Sequence, residues 1–226
     1  MTATDSPAAQ ATRIFLRPIA SPFPLGFSAL ATASLLVAGS ELGWFSTADR
    51  TTVALVLIGF AFPLQLLACV FGFLGRDSAA ATSFGVQAGT WLLVGLNRLL
   101  SAPGSTSHAL GVLLCASAAW IALGAAGAAM GKLVPAAILF LVSLRFLITG
   151  LYELTASRGL EHAGAVVGLV LSAACGYAVL ALEIEGLQRR TVLPLLRRAL
   201  GQEAMTKDLF DQSQRLAHEP GVREQL

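Results

Sequence analysis

The residues that could do chemistry here are polar groups stranded inside apolar runs. Arg145 stands near the middle of the stretch 133–152 and is the only formal charge in it. In a membrane span an arginine costs about 2.5–3.5 kcal/mol on insertion scales, so it must face a partner, a carbonyl or water. Two roles are open to it: drawing an anion into a permeation path, or an interhelical ion pair with Glu41 or Glu153. Gln65 follows Pro63 by two residues. A proline frees a carbonyl one turn earlier, and the glutamine amide could donate to that carbonyl or to a ligand. Gln87 and Asn97 are further uncharged polar groups in an apolar run, and such residues more often join helices than touch a ligand. The segment Ser21-Pro22-Phe23-Pro24-Leu25-Gly26-Phe27 sets two prolines at the start of an apolar stretch. Prolines there fix the approach to a helix without losing needed donors. The free N–H groups of its first turn could meet an anion, or the segment could simply be a rigid helix start.

Enzyme chemistry has no comparable foothold. The sequence contains no HExxH, no P-loop, no GxSxG and no GxGxxG after a strand. The histidines His108, His162 and His218 are scattered. Cys69, Cys115 and Cys175 lie far apart in apolar runs without metal-ligand spacing, so they read as buried free thiols. No catalytic residue, metal site or cofactor is expected, and no nucleic-acid partner.

Such polar groups need elements to hold them, and composition says which. Of 226 residues 55% are hydrophobic and 12% charged, and the mean hydropathy is +0.72. A soluble domain carries about 25% charged residues. Half of the charges fall in residues 183–226, which leaves the first four-fifths almost bare. The sequence predicts an all-α, polytopic membrane protein. A span needs about 20 mainly apolar residues, and six stretches qualify: 24–44, 52–74, 79–100, 108–130, 133–152 and 162–182. Period-two alternation is absent, which excludes barrel strands. The organisation expected is a cytoplasmic segment 1–20, a six-helix transmembrane domain 21–182 and a basic, amphipathic cytoplasmic tail 183–226. In that tail Arg189, Arg190, Arg197 and Arg198 bracket Pro194, and Met205, Leu209 and Leu216 share one side of a short helix.

Orientation follows from the basic residues near the span ends. Arg13, Arg17, Arg76, Lys132, Arg189, Arg190, Arg197 and Arg198 share the side of the termini, against Arg50, Arg98 and Arg158 opposite. Both termini are therefore expected in the cytoplasm, at a plasma membrane. Small residues recur at spacing four: Gly164, Gly168, Ser172 and Gly176; Ala81, Gly85 and Gly89; Gly127 and Gly131. Such stripes let helix backbones approach closely in lipid, within or between protomers.

Several of these residues also form an ordered pattern. Pro22, Pro24, Leu25 and Gly26 resemble the N-P-A-P-L-G-L signature of the succinate–acetate permease family, the acetate uptake transporters. Gln65 and Ala68 match its Q-x-x-A, and Ala81, Thr82, Phe84 and Trp91 match the A-T-x-F…W that follows. Tyr177 stands seventeen residues before Pro194, and Arg190-Thr191-Val192-Leu193-Pro194 is similar to the family's R-T-V-L-P. The likeness spans residues 21–194.

The resemblance implies a six-helix protomer assembled as a hexamer in the bilayer, each protomer with a narrow path for small monocarboxylates such as acetate, sometimes succinate, moving as anions or with a proton. It places Ser21, Pro22, Pro24, Leu25 and Gly26 at the substrate turn. It builds the constriction from Leu30, Gln87 and a fifth-span residue, Phe140 or Val142, and Gln65 and Arg145 join these as candidate path residues. Ser21 stands where the family has asparagine, Phe23 where it has a small residue, Gly72 where it has glutamate and Asp77 where it has asparagine. Leu30 replaces a phenylalanine and Gln87 a tyrosine, while Arg145 occupies a position otherwise apolar. A glutamate lost and an arginine gained make the path more positive. The different-class alternative is a non-transporting membrane sensor or assembly protein that works through its basic tail.

Overall fold

The computed structural model describes residues 19–188, 190–198 and 202. Among them six helices are long and apolar enough to cross a membrane: α1 (Phe23–Glu41), α2 (Asp49–Leu74), α3 (Ser78–Leu100), α4 (His108–Ala129), α5 (Leu133–Thr155) and α6 (Arg158–Gln188). Residues 1–18, Arg189 and the expected tail helix around Met205, Leu209 and Leu216 lie outside the described residues. The chain is all-α and multi-pass.

Each start and stop has a local cause. Pro24 stands in the first turn of α1, where its missing donor is not needed. Asp77 caps α3 by accepting from the Ala80 N–H, and the Ser107 hydroxyl accepts from the Leu110 N–H at the start of α4. Ala156 ends α5 in the left-handed region, its N–H donating to the Tyr152 carbonyl. α2 is not uniform: Leu57–Ala61 is a π-helical turn, closed by a hydrogen bond from the Phe62 N–H to the Leu57 carbonyl. Pro63 explains it. Its nitrogen cannot donate, its ring crowds the carbonyl four residues earlier, and the wider turn absorbs both defects. α6 is longer than its apolar core 162–182, and at about 1.5 Å per residue its 31 residues reach well past a hydrocarbon slab of about 30 Å.

Each helix packs on its neighbours in sequence, and α6 closes back on α1, so the helices form a ring. Small residues set the spacing, as where Gly111 of α4 lies against Gly150 of α5. Side-chain hydroxyls tie neighbours together: Thr90 to Ser117 across α3–α4, Ser143 to the Ala118 carbonyl across α5–α4, and Ser172 to the Ala31 carbonyl across α6–α1. Phe27, Leu30, Phe84, Trp91, Val142 and Phe146 are buried. Leu66, Val70, Phe73, Leu123, Val166 and Leu180 are exposed on the outside, as lipid-facing residues should be.

At the end of the ring nearest the termini, residues 190–198 form a strap. Its Leu195 is buried, and the carbonyls of Leu195 and Leu196 accept from the Val134 and Leu133 N–H groups. Those two donors open α5, whose N-cap, Lys132, supplies no side-chain hydrogen bond. The strap thus does the capping that local sequence omits. Glu185 of α6 holds it by pairing with Arg197 and accepting from Thr191, and the Tyr177 hydroxyl donates to the Pro194 carbonyl.

Candidate functional site

Arg145 is 2% exposed, and its Nη2 reaches both carboxylate oxygens of Glu41 at 2.7 and 2.8 Å. Of the two partners open to it, the fold selects Glu41 at the end of α1. Glu153 instead accepts from the Ser107 N–H at 2.7 Å and holds the start of α4. The guanidinium rests against two glycines of α6. A Cβ on Gly164 would collide with Arg145 Nη1, and one on Gly168 would stand 3.2 Å from Nε and 3.1 Å from the Ala38 Cβ. The small-residue stripe of α6 therefore works inside this chain at Gly164, Gly168 and Ser172, making room for an arginine and for α1, while Gly176 meets open space.

The ion pair lines a cavity of about 280 Å³ that opens at the end of the ring away from the termini. Arg50, Arg98, Tyr152, Glu153 and Glu161 share its wall, and the 42–48 and 101–107 loops form its rim. Arg98 donates to Ser40 at 3.0 Å. The floor is Trp91, stacked edge-on against Phe146 with ring centroids 5.3 Å apart. Nη1 of Arg145, turned towards Gly164, and Nε1 of Trp91 are buried donors without a hydrogen-bond partner among the described residues. Three arginines, Arg50, Arg98 and Arg145, and three glutamates, Glu41, Glu153 and Glu161, line the cavity, so its wall is polar and balanced in charge.

One helical turn from Trp91 along α3 stands Gln87. It is fully buried, as is Gln65, whose Nε2 donates to the Gln87 Oε1 at 3.1 Å and lies 3.4 Å from the Gly26 carbonyl. Gln65 thus does not turn back to the carbonyl freed by Pro63; it bridges α1, α2 and α3. Beyond the amides, towards the termini, Phe23, Phe27 and Phe84 form a cluster with centroids 5.4–5.8 Å apart. Gly26 permits it, since a Cβ there would strike the Phe84 ring. Over Phe23, 4.8 Å from its centroid, sits the Lys132 ammonium, 3.8 Å from Asp77. Burial pushes the Lys132 ammonium below the usual lysine range, and Asp77 opposes that shift.

The signature turn behaves as a helix start. The Ser21 hydroxyl accepts from the Phe23 N–H at 3.4 Å, and the Gly26 N–H donates to the Pro22 carbonyl. Pro22, Pro24 and Leu25 are half-buried beside it, and Leu30 is fully buried two turns on. Of the two fifth-span candidates, Phe140 faces outward. It is 61% exposed on the outer face, whereas Val142 is fully buried. Two residues turn a helix by about 200°, so the two cannot share a face. Of the departures noted, Gly72 lets α2 pass the Ala81 backbone, with 3.0 Å to an added Cβ, and Asp77 both caps α3 and meets Lys132. The spacing of Tyr177 and Pro194 marks the strap segment, but not that its Leu195 and Leu196 carbonyls cap α5, and Arg98 at a span end carries no mark as a cavity residue.

No protein-family model matches this sequence, and neither does any curated protein. Among solved structures, that of the bacterial acetate channel SatP superposes with a TM-score of 0.70 at 19% identity, over 79% of this chain and 99% of that one. The chain has the acetate-channel fold. Essentially the whole of SatP is accounted for, and the remaining fifth of this chain has no counterpart there. Within the acetate-channel fold, the buried Arg145–Glu41 pair lines the cavity, and the Gln65–Gln87 bridge lies in the packed interior between the cavity and the strap.

Proposed function

We propose that this chain is a membrane transporter or channel for small carboxylate anions, acetate among them. The observation that carries the reading is a buried guanidinium, Arg145, lining a cavity inside a fold shared with an acetate channel. The anion enters the cavity past Arg98, meets the Arg145 guanidinium beside Glu41, and passes a constriction of Leu30, Gln65, Gln87 and Val142. It leaves beside Phe23 and Lys132. Bringing an anion into the apolar ring is costly unless donors replace its water, and the guanidinium groups of Arg98 and Arg145 supply them. Ser21, Pro22, Pro24, Leu25 and Gly26 shape the exit by fixing the angle at which α1 starts. The working unit is a hexamer in the plasma membrane with both termini in the cytoplasm, so the strap faces the cytoplasm and the cavity faces outward. Liposomes holding the purified protein should release labelled acetate faster than empty ones. Equal release would sink the reading.

A further inference from the structure

Arg145 lines the cavity, yet it offers no open nitrogen to a solute. Its Nη2 is held by both oxygens of Glu41, Nη1 is turned towards Gly164, and a Cβ on Gly168 would stand 3.2 Å from Nε. The side chain is 2% exposed and that of Glu41 7%. Of these covers only Glu41 can move aside. The glycines belong to the backbone of α6, whereas Glu41 is the last residue of α1, a long rotatable side chain with the cavity beside it. A transported carboxylate and Glu41 carry the same acceptor-only group, so the two compete for the same donors.

The cavity holds a second guanidinium that has no such partner. Arg98 is half-buried, and its Nη1 donates at 3.0 Å to the hydroxyl of Ser40, the residue before Glu41. Among the described residues no carboxylate lies within ion-pair distance of it. Glu153 is engaged by the Ser107 N–H, and Arg98 feels Glu41 more strongly than Glu153. Resting on the carboxylate reading above, we infer that Glu41 is an internal competitor of the transported anion: the solute's carboxylate takes the place of Glu41 on Nη2 of Arg145 while Glu41 passes to Arg98. Before the exchange the solute faces Arg98 and Glu41 faces Arg145; afterwards the two have traded guanidiniums. Arg145 is thus never buried without a counter-charge, the state that would cost most.

The test is labelled acetate flux per folded protein, measured against acetate concentration in liposomes containing the full chain, with flux through empty liposomes subtracted. Glu41→Gln keeps an oxygen for Nη2 but removes the competing charge. Half-saturating acetate should fall by roughly tenfold, the factor one net hydrogen bond supplies. Acetate should also raise the melting temperature of Glu41→Gln more than that of wild type, relative to sodium chloride at equal ionic strength, because it replaces the missing charge. Glu41→Asp keeps the charge on a shorter side chain that reaches Nη2 less well. Its half-saturation should fall too, which keeps the test decisive if Glu41→Gln does not fold. A purely structural ion pair predicts fewer folded molecules at an unchanged half-saturation. A half-saturation that stays or rises in either folded variant would overturn the inference while leaving carboxylate transport standing. So would equal gains in melting temperature for wild type and Glu41→Gln. Absence of acetate flux in wild type and in both variants would overturn the transport reading and this inference with it.

Discussion

Arg145 and Glu41 are each acceptable in the interior only because the other is there. Removing one charge from a buried pair typically costs about 3–5 kcal/mol, since the survivor is left without compensation. Glu41→Ala and Arg145→Ala should each destabilise the protein by about that much, whereas Glu41→Leu with Arg145→Met should recover most of the loss. A double-mutant cycle on thermal unfolding in micelles measures this, and additive losses would mean that the pair does not couple α1 to α5. The same geometry makes a second residue sensitive. Gly164→Ala drives a methyl into the guanidinium and should cost about 1–3 kcal/mol, the usual range for overpacking. Gly176→Ala, with open space around it, should leave the melting temperature unchanged. Because stability and function converge on Arg145, its transport role has to be read as flux per folded protein. Arg145→Lys keeps the charge but loses the planar fork, so it should fold and carry less.

At the scale of elements, the least conventional device is a helix start capped from far away in sequence. The first N–H groups of α5 meet strap carbonyls more than sixty residues later in the chain. Leu195 is the buried anchor of that contact. Leu195→Ser should loosen the strap, and amide hydrogen exchange at Leu133 and Val134 should speed up without a matching change in the middle of α5. Unchanged exchange there would show that the strap's carbonyls are not what protects the two amides. The other end of α5 offers the opposite experiment. Ala156 holds φ 54°, a conformation that disfavours side chains and suits glycine. Ala156→Gly should stabilise the protein by about 1 kcal/mol, read as a rise in melting temperature.

For the whole molecule, the ring explains why both surfaces of each helix are apolar: one faces lipid, the other the packed interior. The terminal end gathers Arg76, Lys132, Arg197 and Arg198, by way of the α2–α3 turn, the α4–α5 turn and the strap. Basic residues near short loops mark the cytoplasmic side. With the three native cysteines replaced, Ser105→Cys and Gln212→Cys should label from opposite sides of the membrane. Labelling of both from outside would reverse or break this orientation.

The number and placement of the spans were legible in the sequence, because run length and the absence of charge are local properties that the bilayer reads directly. So was the need of Arg145 for a partner, since a lone buried charge is untenable in any fold. Which partner it took was not legible: Glu41 and Glu153 are both carboxylates at span ends, and only the closure of α6 on α1 and α5 brings the first one within 2.7 Å. The fifth-span residue followed the same logic. Phe140 and Val142 are alike in sequence as apolar members of one helix, and it is the rotation of α5 against α4 and α6 that turns one to the outside and the other inward. Gln65 stood out as polar, yet the direction of its free oxygen is set by Gln87, itself turned by the Ser83 carbonyl of its own helix, and that meeting exists only once α2 lies on α3. Composition and period decide which segments leave water. The identity of the atoms that meet inside depends on helix rotation and neighbour choice, which arise from packing across segments and not from any one of them.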